Sequence, residues 1–295
     1  MITKKIGIIG CGNMGGAILY GALESGVLPK ESVYVYDINP VMMEKARGWG
    51  VNLAKDDEEV CSSADIVLLA VKPQNAAEAL AQCKKALEGK AMMSIVAGVT
   101  VERLQDMIDG ATRILRIMPN TPAMVFEGAF ALCSDNDFNA DELEAAKAIY
   151  ESIGIVELVP EHLIDAVCGL SGGGPAYAAM FIEAMADGGV KQGLPRATAY
   201  RLAAQTCLGT AKMILEKGIH PGELKDMVTS PGGTTIEGCE ALEKGGMRAA
   251  VIECINAGAE KSRKLYTKKL LSVHISFRSH SAITYHRKNI RRETS

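Results

Sequence analysis

The chain has 295 residues, 48% of them hydrophobic, and a formal net charge of −3. No apolar run reaches the ~18 residues that a membrane-spanning helix needs, and the length allows two domains with a large core. Residues 266–295 hold seven Lys or Arg against one Glu, a balance of +6 that leaves −9 on residues 1–265, so general nucleic-acid binding is not expected.

The apolar stretch that follows Met1-Ile2-Thr3-Lys4-Lys5 is too short for a secretory leader, and the reading is a cytoplasmic protein. Eight cysteines are scattered along the chain with no C-x-x-C pair and no metal-ligand spacing. They read as small buried thiols, and no metal site is expected.

The first element carries the strongest signal. Ile6-Gly7-Ile8-Ile9 is a short apolar run of the kind a central parallel strand needs. It leads into Gly10-Cys11-Gly12-Asn13-Met14-Gly15, a G-x-G-x-x-G turn, and then into the helical pattern of residues 16–23. In such a unit Gly10 permits the tight turn and Gly12 lets a pyrophosphate approach the backbone, and Asn13 and Met14 of the same turn are read as cofactor-binding with them. Gly15 lets the helix pack close to the strand, and the helix N-terminus faces the phosphates.

Further strands are expected at 33–36, 66–71, 91–96 and 114–118, with helices at 40–48, 74–88 and 100–109 between them. A strand at 128–134, a helix at 141–152 and a strand at 155–158 follow. This alternation predicts a doubly wound parallel sheet, an N-terminal Rossmann domain of an α/β protein. Ligands of such sheets lie beyond the strands' carboxyl ends. That rule gathers Gly10–Gly15, Asp37, Ala70-Val71-Lys72-Pro73, Ala97-Gly98 and Asn120-Thr121-Pro122 at one edge.

Asp37 ends the second strand, where an acidic side chain accepts hydrogen bonds from the adenosine ribose. Its charge repels a 2′-phosphate, and no Lys or Arg follows until Lys45 and Arg47. This residue by itself favours NADH over NADPH. The other role open to it is capping the helix that starts at Pro40.

From Pro160 the pattern is helix after helix, with helical periodicity at 175–190, 196–216 and 247–264. The expected domains are 1–159 for the dinucleotide and 160–265 for an all-helical substrate and dimerisation domain, with 266–295 a basic tail, disordered or foreign to the fold. Helices apolar on several faces point to self-association. Two small-residue stretches interrupt them. Ser171-Gly172-Gly173-Gly174-Pro175 is read as opening one helix, and Ser230-Pro231-Gly232-Gly233-Thr234-Thr235 as opening another. Each would offer backbone N–H groups, hydroxyls and a positive helix end to a small carboxylate. N-capping and tight helix crossing are the plainer reading of either alone.

Histidines are scarce before the tail, with His162 and His220 alone, and no Ser-His-Asp pattern is present. That scarcity fits hydride transfer, in which the cofactor carries the chemistry.

Together these residues resemble the pyrroline-5-carboxylate reductase family over roughly residues 4–265. Asp226–Ile236 resembles the family signature. Gly169-Leu170-Ser171-Gly172-Gly173-Gly174-Pro175-Ala176-Tyr177 resembles its SGSGPAY loop, with Gly173 in place of the usual serine. Ala70–Pro73, Ala97–Thr100 and Met118–Pro122 match as well. The resemblance implies reduction of 1-pyrroline-5-carboxylate to L-proline by NADPH or NADH, and assembly into dimers or decamers. It implies that Thr235 hydrogen-bonds the ring nitrogen, that the Ser230–Thr234 backbone holds the carboxylate, and that Ala70, Lys72 and Ala97 lie along the cofactor. Lys72 is the second candidate for the proton donor. Many members prefer NADPH, which stands against the Asp37 argument. A β-hydroxyacid dehydrogenase would carry a lysine on the helix after its second glycine loop, and Tyr177–Gly189 has none. A nucleotide sensor without catalysis would not need Ser230–Thr235.

Overall fold

The computed structural model describes residues 2–108 and 111–264; the basic tail lies outside the described residues. The chain divides into two compact units, one of Met1–Gly172 together with the chain from Gly258, the other Gly173–Ala257.

The first unit begins β1 (Ile6–Ile9), α1 (Asn13–Glu24), β2 (Val33–Tyr36), α2 (Pro40–Gly48), β3 (Asn52–Leu53), α3 (Asp57–Ser63) and β4 (Ile66–Leu69). It continues α4 (Ala76–Leu87), β5 (Ala91–Ser94), α5 (Val101–Met107), β6 (Arg113–Met118), β7 (Gly128–Cys133), α6 (Ala140–Glu151), β8 (Gly154–Val159) and α7 (Ile164–Val167). The eight strands form one sheet in the order β3-β2-β1-β4-β5-β6-β7-β8.

Both faces of the sheet are covered, which is why its central strands read as unbroken apolar runs. Side chains alternate across each strand. Ile6 and Ile8 of β1, with Ile66 and Leu68 of β4, enter a core shared with Ile18 of α1 and Ile149 of α6. Ile9, Val67 and Leu69 enter the opposite core, with Val60 of α3, Leu80 of α4 and Leu104 of α5.

One pairing departs from the parallel expectation. β6 and β7 are antiparallel, and β8 then pairs parallel to β7. Only residues 119–127 connect β6 to β7, too few for the crossover that a parallel neighbour requires.

Two short elements went unforeseen in this half. β3 is a two-residue edge strand. α3 is held at both ends by side chains: Asp56 Oδ1 accepts from the Glu59 N–H at 2.8 Å, and Lys90 Nζ donates to the Cys61 and Ala64 carbonyls at 2.5 and 2.6 Å.

The second unit contains α8 (Gly174–Lys191), α9 (Arg196–Lys217), α10 (Pro221–Met227) and α11 (Thr234–Lys244). A further helix, α12, runs over 247–264. α10 opens at His220, which caps it through Nδ1, accepting from the Gly222 N–H at 3.1 Å, with Pro221 in its first turn. A small core of Ala186, Ala199 and Ala203 serves α8 and α9, while Met180, Leu202, Leu215 and Ile252 are more than half exposed. Apolar surface of this extent marks an association face. No described helix is long and apolar enough to cross a membrane.

Candidate functional site

β1 is flanked by β2 on one side and β4 on the other, so the strand order reverses at this point. Open α/β sheets bind ligands at such a switch, beyond the carboxyl ends of the strands. Gly10 follows β1, Asp37 follows β2, Ala70 follows β4, Ala97 lies after β5 and Asn120 after β6. These five strands are parallel, so all five residues stand at one edge.

The three glycines of the first turn have different physical reasons. Gly10 has φ +92°, and a Cβ there would lie 2.8 Å from the Ala70 carbonyl oxygen. A Cβ on Gly15 would lie 2.3 Å from the Gly10 carbonyl oxygen and 2.9 Å from the Ala70 Cβ. The fold itself therefore demands glycine at both positions. A Cβ on Gly12 would meet no protein atom within 4 Å, so the space beside it is open to a ligand.

Gly12 is also the N-cap of α1, and it has no side chain to satisfy the first N–H groups. No acidic residue occupies the first turn. An uncapped, positive helix end beside an empty approach fits a pyrophosphate. Asn13 is exposed, and Met14 packs partly on the core, so these two offer backbone N–H groups there.

Asp37 is half-buried, and both its oxygens accept backbone bonds. Oδ2 accepts from the Cys11 N–H at 2.6 Å and Oδ1 from the Asn39 N–H at 2.8 Å. The carboxylate thus ties the end of β2 to the glycine turn, with lone pairs left for ribose hydroxyls. It does not cap the helix at Pro40; Asn39 does, accepting from the Val41 N–H at 3.0 Å. The two cations that follow are engaged elsewhere, Lys45 over the Trp49 ring at 5.2 Å and Arg47 with Glu44 at 3.1 Å.

Burial, and then the charge of Asp37, push the Cys11 thiol up to about 11, so it stays protonated and is no nucleophile at neutral pH. Burial first, then the charges of Asp56 and Asp37, push the Asp57 carboxyl up to about 6. Asp57 was not singled out from the sequence, although it lies in the acidic run Asp56-Asp57-Glu58-Glu59.

Along the rest of the edge, Ala70, Val71 and Pro73 are half-buried and Lys72 is exposed. Ala97 is exposed beside Gly98, whose φ is +75°. Asn120 is buried, and its Oδ1 accepts from the Ala129 N–H at 2.9 Å, bracing β6 against β7. Arg116 of β6 pairs with Glu161 at 3.0 Å, with the Arg116 side chain only 6% exposed. Sequence reasoning missed this pair, although an arginine inside the apolar run Ile114–Met118 was a readable signal.

The two small-residue stretches turn out differently. Ser171–Pro175 is not an open loop. Cys168–Gly172 forms a π-helical turn, and Gly173, itself helical, carries the chain into α8. Ser171 Oγ donates to the Val167 carbonyl at 3.2 Å. A Cβ on Gly172 would lie 2.5 Å from the Met118 methyl carbon, the movable end of a flexible side chain, and would meet no other atom closer than 3.7 Å. π-turns of this kind recur at functional sites.

Ser230–Gly233 is a true loop. Gly232 has φ +66° with open space about it, and the Gly233 N–H donates to the Ser230 carbonyl at 3.0 Å. Gly233 caps α11 without a side chain, leaving Thr234 and Thr235 exposed in its first turn. Ser171 and Gly172 belong to the first unit and Ser230–Thr235 to the second. The large open depression of the second unit, about 430 Å³ beside Lys225, Ile236, Glu243 and Arg248, includes none of the residues predicted for substrate. Among the described residues no group of three or more His, Cys, Asp or Glu is gathered that could hold a metal.

Residues 161–265 match the family described as pyrroline-5-carboxylate reductase dimerisation, and residues 5–98 match that described as NADP oxidoreductase coenzyme F420-dependent. The pyrroline-5-carboxylate reductase of Escherichia coli is 45% identical over 266 residues, 90% of this chain and 99% of that one. That of Methanosarcina acetivorans is 42% identical over 270 residues, 91% of this chain and all of its own. Among solved structures, a pyrroline-5-carboxylate reductase from Coxiella burnetii is similar with a TM-score of 0.85 at 32% identity, covering 89% of this chain and 98% of that one. Plasmodium falciparum pyrroline carboxylate reductase with NADP bound has a TM-score of 0.80 at 33% identity, covering 90% of this chain and 99% of that one.

Proposed function

The chain belongs to the pyrroline-5-carboxylate reductase family, and on that premise we propose that it reduces the cyclic imine 1-pyrroline-5-carboxylate to L-proline with NADPH or NADH. The observation that carries the reading is Gly12, a glycine for which nothing in the protein itself calls, at the head of an uncapped helix on the switch point of the sheet. Bound there, the coenzyme supplies a hydride to the imine carbon.

The chain's own residues supply position and polarity. The N–H groups of Gly12–Gly15 seat the pyrophosphate, and Asp37 takes the adenosine ribose. Ala70, Val71, Lys72, Pro73, Ala97 and Asn120 line the path of the coenzyme. The N–H groups at Ser230–Thr234, including Gly232 and Gly233, hold the substrate carboxylate at the α11 N-terminus, with Ser171 and Gly172 beside the substrate. Thr235 hydrogen-bonds the ring nitrogen and passes it a proton, with Lys72 as the second candidate donor. The imine is already electrophilic, so an oriented hydrogen bond suffices where a strong acid is absent.

We assign residues 1–159 to the nucleotide and 160–265 to substrate and self-association. The exposed apolar side chains of α8, α9 and α12 support a dimer at least, with a decamer the larger assembly that the resemblance implies. The reading includes a cytoplasmic location and no nucleic-acid or membrane partner.

The deciding assay follows oxidation of NADPH and of NADH separately, with pyrroline-5-carboxylate and with a 3-oxo acid as control. Turnover with the imine alone is expected; turnover with the oxo acid alone would overturn the assignment. A chain ending at Leu265 is expected to keep full turnover, because the residues assigned to the reaction all precede it. Loss of activity on removing 266–295 would show that the tail takes part.

A further inference from the structure

The geometry points to Glu161 as the residue that positions the Ala97–Gly98 turn for the nicotinamide half of the coenzyme. Ile95–Thr100 links β5 to α5 and passes along the carboxyl edge of the sheet. At its start it is fixed to the sheet, where the Ile95 N–H donates to the Leu69 carbonyl at 3.2 Å and the Val96 N–H to Ser94 Oγ at 3.3 Å. At its end it is fixed from 60 residues away, where the Val101 N–H donates to Glu161 Oε1 at 2.9 Å.

The same Glu161 oxygen accepts from Arg116 Nη1 at 3.0 Å. Glu161 is itself held from behind, its backbone N–H donating to Asp135 Oδ2 at 3.0 Å. One carboxylate therefore joins the first turn of α5, a buried arginine of β6 and the chain after β8.

Val96 and Val99 are buried on either side of the turn, and the two residues between them are not. Ala97 is exposed, Gly98 has positive φ, and both border a cavity of about 40 Å³ that Arg116, Met118, Cys168 and Ser262 also line. Free to relax, the turn has room to move. Fixed by Glu161, it presents a set backbone surface to whatever lies along the edge. Preorganisation of this kind lowers the ordering cost of binding.

The inference rests on the reading that places Ala97 beside the coenzyme, and it is tested by binding rather than by turnover. The probe is NADPH, and NADH in parallel, titrated by fluorescence, with the thermal midpoint measured on the same samples. Glu161→Ala is expected to raise the coenzyme Kd about tenfold, the effect of one lost oriented contact, and to leave the KM for the imine within about twofold. Glu161→Gln keeps an oxygen for the Val101 N–H and should bind within about threefold of the parent.

Removing Glu161 alone takes a carboxylate from the buried Arg116 and lowers stability, so the double variant Arg116→Met/Glu161→Met separates the two effects. An apolar pair can replace a buried ion pair without loss of stability. This double variant should recover the thermal midpoint and still bind the coenzyme as weakly as Glu161→Ala. Recovery of both would make Glu161 a structural residue and overturn the inference, as would an unchanged Kd in Glu161→Ala or a parent that binds neither nucleotide. A parent that binds coenzyme and does not turn over the imine would refute the proposed reaction alone.

Discussion

Gly12→Ala should fold as the parent does and lose coenzyme affinity by one to two orders of magnitude. The added methyl group meets no protein atom within 4 Å, so it strains nothing in the free enzyme. Its N-cap backbone has φ −68° and ψ −160°, at the margin of the extended region and without the positive φ that only glycine adopts easily. The methyl fills the approach that the pyrophosphate needs and pushes the anion off the N–H groups of α1. A tenfold to hundredfold rise in Kd corresponds to about 1.4 to 2.8 kcal/mol. Gly15→Ala should show the reverse order of effects. Its Cβ would lie 2.3 Å from the Gly10 carbonyl oxygen, a backbone atom that cannot swing aside. Forcing α1 away from β1 costs about 1–3 kcal/mol by overpacking, and the thermal midpoint should fall before any binding defect is visible. Titration with NADPH and a melting curve on each variant distinguish the two. If Gly12→Ala binds the coenzyme as the parent does, the open space beside Gly12 is not a phosphate seat.

The contrast between those glycines marks where the sequence was readable. The order of strand, glycine turn and helix is a local pattern, and β1, α1 and their turn follow from it. So do the strands whose apolar runs are continuous because α1 and α6 bury one face and α3, α4 and α5 the other. α3 was missed because it is short and rich in acid, so it shows little periodicity. Its signal was the capping pair Asp56 and Glu59, supplemented by Lys90 from beyond β4, which no local pattern reveals. The start of α10 was readable, with His220 as its cap and Pro221 just inside it. The antiparallel entry of β7 follows from a connection length, a quantity visible in the sequence once the strand ends are known.

At the site, Asp37 stood out as a chemical type at a strand end. Its bond to the Cys11 N–H depends on β1 and β2 being neighbours. Ser171–Pro175 does open a helix, α8, but the chain leading into it is already wound in the Cys168–Gly172 π-turn, which glycine and serine do not announce in the sequence. Glu161 was invisible because its partners lie 45 and 60 residues away in the chain.

Thr235→Ala is expected to lower kcat/KM for the imine by about 10²-fold while the folded state gains rather than loses stability. The two effects have separate causes. Thr235 is exposed in the first turn of α11 and forms no cap for that helix, whose N-cap is Gly233. Alanine is the better helix former by about half a kcal/mol, so a melting curve should move slightly upward. The hydroxyl, on the proposed reading, donates to the ring nitrogen as charge leaves it. Oriented donors of that sort contribute about 10²-fold to 10³-fold. A fall in turnover together with a rise in melting temperature cannot come from unfolding, and Thr235→Ser should recover most of the rate because it restores the hydroxyl and not the methyl group. Coenzyme affinity should stay unchanged in both variants, since the residues assigned to the nucleotide all precede Thr235 and lie in the first unit. Near-normal kcat/KM in Thr235→Ala would remove this residue from the mechanism and pass the proton to Lys72.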